Sequence, residues 1–276
     1  MNLLVTVYIT THNRGDKITR AIDSVLRQSY KNIELIISDD GSSDNTEEIC
    51  RAIASKSSSI KYIRVSRPQG ANHARNLAIK AASGVFITGL DDDDIMTEDR
   101  IMILLSYWDD KYSFVCDNFL DIYKSKVRKR YIQFSAVKLF SLEDIARKNC
   151  ASNQIFTKTA RLKNIYGFDE SVSRLQDWDC WLRMVDTYGD FIRVNHCTYW
   201  MFHDEVSRVS INENLKNSYE GLIRRNYKLF SKVFGEDFVD IGLIFSKKPR
   251  LKYVTKIRKL SQVKLYLKGI REAYFH

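Results

Sequence analysis

Two hydrophobic periods alternate along the first hundred residues. Leu3 to Thr10 and Ile33 to Ser38 are apolar, partly β-branched runs that read as buried strands. Ile60 to Val65 alternates with period two, and Val85 to Leu90 is a fourth strand-like run. Between them apolar residues recur every three or four positions. Ile18, Ala21, Ile22, Val25 and Leu26 mark a helix within Lys17 to Gln28. Thr46 to Ala54, with Ser43 as candidate N-cap, and Ala71 to Ala82 read as two more. Strands alternating with helices of this length predict βαβ units and a mostly parallel sheet.

Past residue 110 the pattern is less regular. Ser113 to Ile122 and Val127 to Phe134 read as strands around a basic turn, Lys124 to Arg130. Its five basic residues suit either an anionic acceptor or simple solvation. Leu142 to Lys148 and Trp178 to Thr187 read as short helices, and Asn212 to Phe230 as a longer one. Phe191 to Val194 and Thr198 to His203 read as strands. Trp178 and Trp181, three apart on one helix, predict core packing, with a platform for a sugar acceptor as the alternative for one of them. No linker or repeat interrupts the series, which predicts one domain over residues 1–235 and an extension over 236–276.

The polar residues at the strand ends carry the chemistry. Parallel sheets bind ligands beyond the carboxyl ends of their strands. Thr10 to Arg14 follow the first strand, Asp39-Asp40-Gly41-Ser42 the second, and Asp91-Asp92-Asp93-Asp94 the fourth. Four adjacent carboxylates repel one another unless a cation neutralises them. Mg2+ and Mn2+ take such oxygen ligands, using one or two carboxylates together with waters and substrate phosphates. An acidic turn capping the following helix is the simpler alternative, and the second acidic pair at Asp39-Asp40 tells against it. Thr10 to Arg14 suit a nucleotide base and ribose. A carboxylate after the second strand can accept a base N–H, and Gly41 permits the tight turn there.

Composition narrows the partners. With 276 residues, 44% hydrophobic and 28% charged, the chain is globular. Its net charge is +10, yet Lys247 to Glu272 holds ten Lys or Arg and one Glu. The body is near neutral, which argues against nucleic acid as a partner. In the tail Leu251, Val254, Ile257, Leu260, Val263, Leu267 and Ile270 recur at helical spacing. Two short basic amphipathic helices are expected, suited to an anionic membrane surface; a docked helix with a solvated basic face is the alternative. Five scattered cysteines without a CxxC pair fit a reducing compartment, each as a small buried residue. No apolar run approaches the ~20 residues of a membrane span. The direct start into a strand predicts no signal peptide.

Ile9 to Arg14, Asp39 to Thr46, Gly70-Ala71-Asn72-His73-Ala74-Arg75-Asn76 and Leu90 to Asp94 together resemble the successive motifs of family-2 glycosyltransferases. Gly167-Phe168-Asp169-Glu170 and Gln176 to Arg183 continue the resemblance. It implies a GT-A (Rossmann-like) α/β fold with a mostly parallel sheet and flanking helices, to which the tail pattern adds a C-terminal helical basic extension. Residues 1–110 would form the nucleotide-binding half and 111–235 the acceptor half. The implied reaction is inverting transfer from a nucleotide-diphospho sugar, most simply UDP-linked. The implied acceptor is a lipid-linked glycan of bacterial surface-polysaccharide assembly, at the cytoplasmic face of the cell membrane. Sugar nucleotidyltransfer is the same-class alternative, but Thr11 to Arg14 lacks its Gly-rich phosphate loop. A non-catalytic nucleotide or metal binder with a nucleic-acid-binding tail is the other.

The resemblance also implies residue roles. Asp40, with Asp39, holds the base, beside Thr10, Thr11, Asn13 and Arg14; Arg75 supports the base or pyrophosphate. Asp91 faces the ribose or metal, and Asp93 coordinates Mn2+ or Mg2+, with Asp92 and Asp94 each able to substitute. Asp177 is the catalytic base, next to Gln176 where relatives carry Glu. His203 completes the metal site or contacts phosphate. This division suits in-line displacement, which needs a base on one face and a cation behind the leaving diphosphate on the other.

Overall fold

A computed structural model describes residues 2–130, 136–151, 153–203, 215–236 and 263. The helices expected over 247–276 fall outside these residues, Val263 apart, as does the far end of the strand expected over Val127 to Phe134. Two compact units emerge: Met1–Phe140 with Ala151–Val206, and Ser141–Cys150 with Ser207–His276.

The first unit begins β1 (Val5–Thr11), α1 (Ile18–Leu26), β2 (Ile33–Asp39), α2 (Thr46–Ala54), β3 (Ile60–Arg64), α3 (Ala71–Ala81) and β4 (Phe86–Asp91). It continues with β5 (Ile95–Met96), α4 (Arg100–Ser106), β6 (Val115–Tyr123), β7 (Lys126–Lys129) and β8 (Lys138–Phe140). After α5 (Leu142–Arg147) of the second unit come β9 (Phe156–Lys158), α6 (Thr159–Asn164), α7 (Gln176–Tyr188) and β10 (Phe191–Phe202). Helices α8 (Leu215–Arg225) and α9 (Tyr227–Phe234) belong to the second unit.

The strands form one mixed sheet in the order β3-β2-β1-β4-β9-β6-β10-β5, with β7 beside β6 and β8 beside β10. β3, β2, β1 and β4 are mutually parallel. β9 runs antiparallel to both β4 and β6, so β6 points the same way as β4. β1 lies in the middle of the parallel set with Val5, Val7 and Ile9 fully buried, as a strand covered on both faces requires. α1 turns Ile18, Ala21, Ile22 and Val25 into that core, one stripe of a 3.6-residue period. Phe86 stacks on Phe156 at 5.0 Å and meets the edge of Trp108 at 5.1 Å, which joins β4, β9 and the segment after α4.

Trp178 and Trp181 are buried on α7, Trp181 against Phe114 and Phe168. Cys50, Cys116, Cys150 and Cys180 are buried as expected, and Cys197 is half-buried. The two strands expected at 191–194 and 198–203 are one, β10. The polar Asn195-His196 pair that breaks the apolar pattern is absorbed by register shifts between Val194 and Cys197 and between Cys197 and Tyr199.

In the second unit α5 begins with a capping box between Ser141 and Asp144, and Arg147 lies over the Phe234 ring at 5.5 Å. The long helix expected to Phe230 breaks at Asn226, whose side chain donates to the Leu222 carbonyl at 3.0 Å.

Candidate active site

Strand register brings the polar ends together. Thr10 pairs with Asp91, Thr11 with Asp39, and Asp39 with Arg64, so four parallel strands end on one rim. The loops after β1 and β2 are stitched to each other. Asn13, in the left-handed region at φ 54°, accepts the Ser43 amide at 2.7 Å through Oδ1, while its own amide donates to Ser42 Oγ at 2.9 Å. Arg14 and Gly15 amides donate to Thr46 Oγ1 and Asp44 Oδ2 at 3.0 and 3.1 Å. Asn13 thus shapes the loop that it was expected to line.

The two acids after β2 have different surroundings. Asp39 is 1% exposed; its carboxylate accepts from the Ser42 amide and hydroxyl at 2.8 and 2.7 Å and from Tyr62 at 2.5 Å. It is consumed inside the loop. Asp40 accepts the Gln69 and Gly70 amides at 2.7 and 2.8 Å, which fixes the turn into α3. A carboxylate has about four acceptor positions, so Asp40 keeps capacity for a base N–H.

The four acids after β4 also separate. Asp91 is held by Gln154 Nε2 and Asn153 Nδ2, both at 2.9 Å, with Arg75 at 3.9 Å. Tyr8 donates to Gln154 Oε1 at 3.4 Å, extending the chain of bonds into the core. Asp92, Asp91 and Asp93 are partly exposed. Burial pushes the Asp92 carboxyl up to about 7; Thr11 and, at 3.9 Å, Arg14 work against that rise, while Asp93 and Asp91 add to it. Asp93 is anchored through its carbonyl, which accepts from Arg20. Asp94 is buried and accepts from the Tyr199 hydroxyl and the Phe202 amide, both at 2.8 Å. Burial, with Asp91 and Asp93 nearby, raises its carboxyl well above the usual range. Asp94 is the most buried of the four acids, with each oxygen bonded to an inward partner.

Asp177 lies in the first turn of α7, half-buried, where the helix dipole favours a carboxylate. Leu175 just before it has φ 60°, a left-handed conformation that costs roughly 1–3 kcal/mol and sets the entry angle of the helix. The neighbouring Asp179 is buried against Arg183 at 3.1 Å and is not available as a base. His203 donates from or accepts at Nε2 with Asp121 Oδ1 at 2.6 Å and stacks on Tyr123 at 4.2 Å.

Sequence reasoning missed Asn153, Gln154 and Tyr199, the residues that fix Asp91. The one signal was a polar Asn-Gln pair directly before the apolar Ile155-Phe156. It also missed Asn72 and Asn76, which sit in the quoted motif but face the loop before α7.

Comparison with known proteins identifies the family. The profile of glycosyl transferase family 2 matches residues 6–167. A protein of Escherichia coli K12 assigned to colanic acid biosynthesis as a glycosyl transferase is 35% identical over 206 residues, 71% of each chain. The GalNAc(5)-diNAcBac-PP-undecaprenol beta-1,3-glucosyltransferase of Campylobacter jejuni is 32% identical over 79% of this chain and 72% of its own. Several other relatives are longer, and this chain covers between 22% and 36% of three of them. Residues 1-349 of S. aureus TarS, in complex with UDP-GlcNAc, superpose with a TM-score of 0.72 at 17% identity, over 98% of this chain and 80% of that one, which establishes the fold. With the profile spanning more than half of its length and an acidic rim built on the matching strands, the chain belongs to glycosyltransferase family 2.

Proposed function

We propose that the chain transfers a sugar from a UDP-sugar to a lipid-linked glycan in bacterial surface-polysaccharide assembly, with inversion at the anomeric carbon. The observation that carries this reading is the rim itself. Asp91 is immobilised 3.9 Å from Arg75, beside partly exposed Asp92 and Asp93, at the ends of parallel strands. The undecaprenol-linked acceptor named for the C. jejuni relative and the UDP-GlcNAc bound to TarS support the choice of acceptor and donor class.

The donor set fits Mn2+ or Mg2+. It is made of oxygens, partly exposed, and leaves room for substrate phosphates, the usual habit of these ions. Asp93 and Asp91 would hold the ion, which supplies positive charge to the departing diphosphate. His203 is not counted with them: its Nε2 pairs with Asp121 at 2.6 Å, and among the described residues no three His, Cys, Asp or Glu side chains gather as a metal site. Asp40 accepts the base N–H, Arg75 balances the pyrophosphate, and Asp177 takes the proton of the acceptor hydroxyl. Thr10, Thr11 and Arg14 line the nucleotide.

Among the described residues no helix is long and apolar enough to cross a membrane. The basic residues 247–276 attach the enzyme peripherally to the inner face of the cell membrane, and nucleic acid is not a partner.

Donor hydrolysis tests the reading directly. UDP-, GDP- and dTDP-sugars are incubated with and without Mn2+, and UDP is titrated calorimetrically into the parent and Asp93→Ala. The expected result is metal-dependent hydrolysis of a UDP-sugar and loss of Mn2+-linked UDP affinity in the variant. Unchanged Mn2+-linked affinity overturns the metal assignment.

A further inference from the structure

The β6–β7 hairpin carries a cluster of cations that the sugar-transfer reading does not use. Every residue from Lys124 to Arg130 is exposed. Arg130 is paired with Asp121, but Lys124, Lys126, Arg128 and Lys129 have no acidic partner among the described residues. Val127, in the middle of them, is 62% exposed. In β7 alternate residues face opposite sides, so the cations and the exposed valine project from both faces of the hairpin.

Sheet register places this hairpin on the functional rim. Phe156 of β9 pairs with both Thr88 of β4 and Val115 of β6, which makes one rung across the three strands. Asp91 lies three residues beyond that rung on β4. Leu120 to Tyr123, which pair with Lys129 to Lys126, lie five to eight residues beyond it on β6. At ~3.3 Å per residue the hairpin begins roughly 7 Å past Asp91 and projects outward from the same edge. β10 ends beside it, where the His203 amide donates to the Ile122 carbonyl at 2.8 Å.

We infer that the β6–β7 hairpin docks on an anionic membrane surface and holds the sugar-transfer rim against it. A single diphosphate would be met by cations converging on one point; these diverge over two faces and surround an exposed apolar residue, as contact with a broad interface requires. The inference rests on the lipid-linked acceptor proposed above, because such an acceptor must be reached at a lipid surface. A competing account is that lysines on an edge strand block self-pairing of sheets, and it predicts a different outcome.

The test compares the full chain with a variant carrying Lys124→Gln, Lys126→Gln, Arg128→Gln and Lys129→Gln. Both are co-sedimented with vesicles of phosphatidylcholine alone and of phosphatidylcholine mixed with phosphatidylglycerol, at low and high salt. Each cation near such a surface contributes about fivefold to partitioning, so the variant should bind the anionic vesicles about 600-fold more weakly at low salt. Hydrolysis of the UDP-sugar in solution should match the parent, which separates failure of this inference from failure of the donor reading. In a second measurement Val127→Trp should be quenched by brominated phosphatidylglycerol, beyond the quenching of the parent. Equal vesicle binding by parent and variant, or no added quenching at position 127, overturns the inference. Aggregation of the four-site variant with undiminished vesicle binding assigns the lysines to edge protection instead. Weaker binding that free diphosphate reproduces in the parent to the same degree assigns the hairpin to a phosphate pocket and also overturns it.

Discussion

Asn76 grips the backbone of Phe168 at both polar atoms: its Nδ2 donates to the carbonyl and its Oδ1 accepts the amide, each at 2.8 Å. One turn earlier on α3, Asn72 Nδ2 donates to the carbonyls of Asp169 and Val172 at 2.8 and 2.7 Å. Between these residues Arg75 reaches toward Asp91. A single helix therefore carries the cation facing Asp91 and the clamp on the loop that leads into α7 and Asp177.

Asn76→Ala leaves the Phe168 amide and carbonyl without their partner. A buried polar group left unsatisfied costs about 1–3 kcal/mol. Chemical denaturation should show a loss in that range. With purified folded protein, kcat should fall more than donor affinity, because the loop before Asp177 moves while the rim does not. Unchanged stability and turnover would remove Asn76 from this role.

The clamp shows what the sequence could and could not reveal. The four parallel strands and three helices of the first hundred residues were legible because each has its own local hydrophobic period. The acids at their ends followed from parallel topology alone. The partners of Asp91 were not legible: Asn153, Gln154 and Tyr199 lie 62, 63 and 108 residues away in the chain, and no period links them. β5, β8 and β9 span two or three residues, too few to show alternation. The roles of Asp39 and Asp94 needed the structure as well, since an inward-facing carboxylate and an exposed one look alike in sequence.

Gly89 follows the same logic from the packing side. A Cβ at this position would lie 2.1 Å from Gln154 Oε1 and 2.6 Å from Tyr8 Cζ. Gly89→Ala must displace the side chain that holds Asp91. Overpacking of this kind costs about 1–3 kcal/mol. Thermal unfolding should report that loss, and UDP titration should show weaker binding even where the protein remains folded. Wild-type UDP affinity would mean that Gln154 is not needed to place Asp91.

Glu34 gives a pH dependence with a definite sign. Burial alone would raise its carboxyl. Bonds from Lys61, the Ser83 hydroxyl, Thr6 and the Ser83 amide prevail and hold it at about 2, below the ordinary 4.5. A depressed carboxylate contributes stability that is complete above 4.5 and is lost as pH falls toward 2. Glu34→Gln removes the charge; hydrogen bonds to charged groups are worth about 1.5–3 kcal/mol. Urea denaturation at neutral pH should show a deficit of that size, and the gap between parent and variant should narrow below 4.5. A gap that stays constant through the acid range would contradict the assignment.

Removal of residues 247–276 should weaken binding to anionic vesicles while leaving UDP binding intact. The segment holds ten Lys or Arg against one Glu, and each basic residue near such a surface contributes on the order of 1 kcal/mol. The effect should fade with salt, as the Debye length contracts from ~10 Å at 0.1 M to ~3 Å at 1 M. Co-sedimentation at both salt levels reads it. An unfolded truncated protein would instead identify the tail as a docked structural element.

Asp177→Asn separates chemistry from binding. The amide is nearly isosteric with the carboxylate but cannot take the proton of an acceptor hydroxyl. Its position in the first turn of α7 is held from outside the side chain, by the Leu175 turn and by Trp178 and Trp181 in the core. The fold and UDP affinity should therefore match the parent. Transfer should fall by ~10²–10⁴-fold, the usual cost of removing a general base. Asp179 cannot stand in, because it is buried against Arg183. Single-turnover transfer to a glycan acceptor, measured beside calorimetric UDP binding, distinguishes the two effects. Near-wild-type turnover in Asp177→Asn would place the base on another residue.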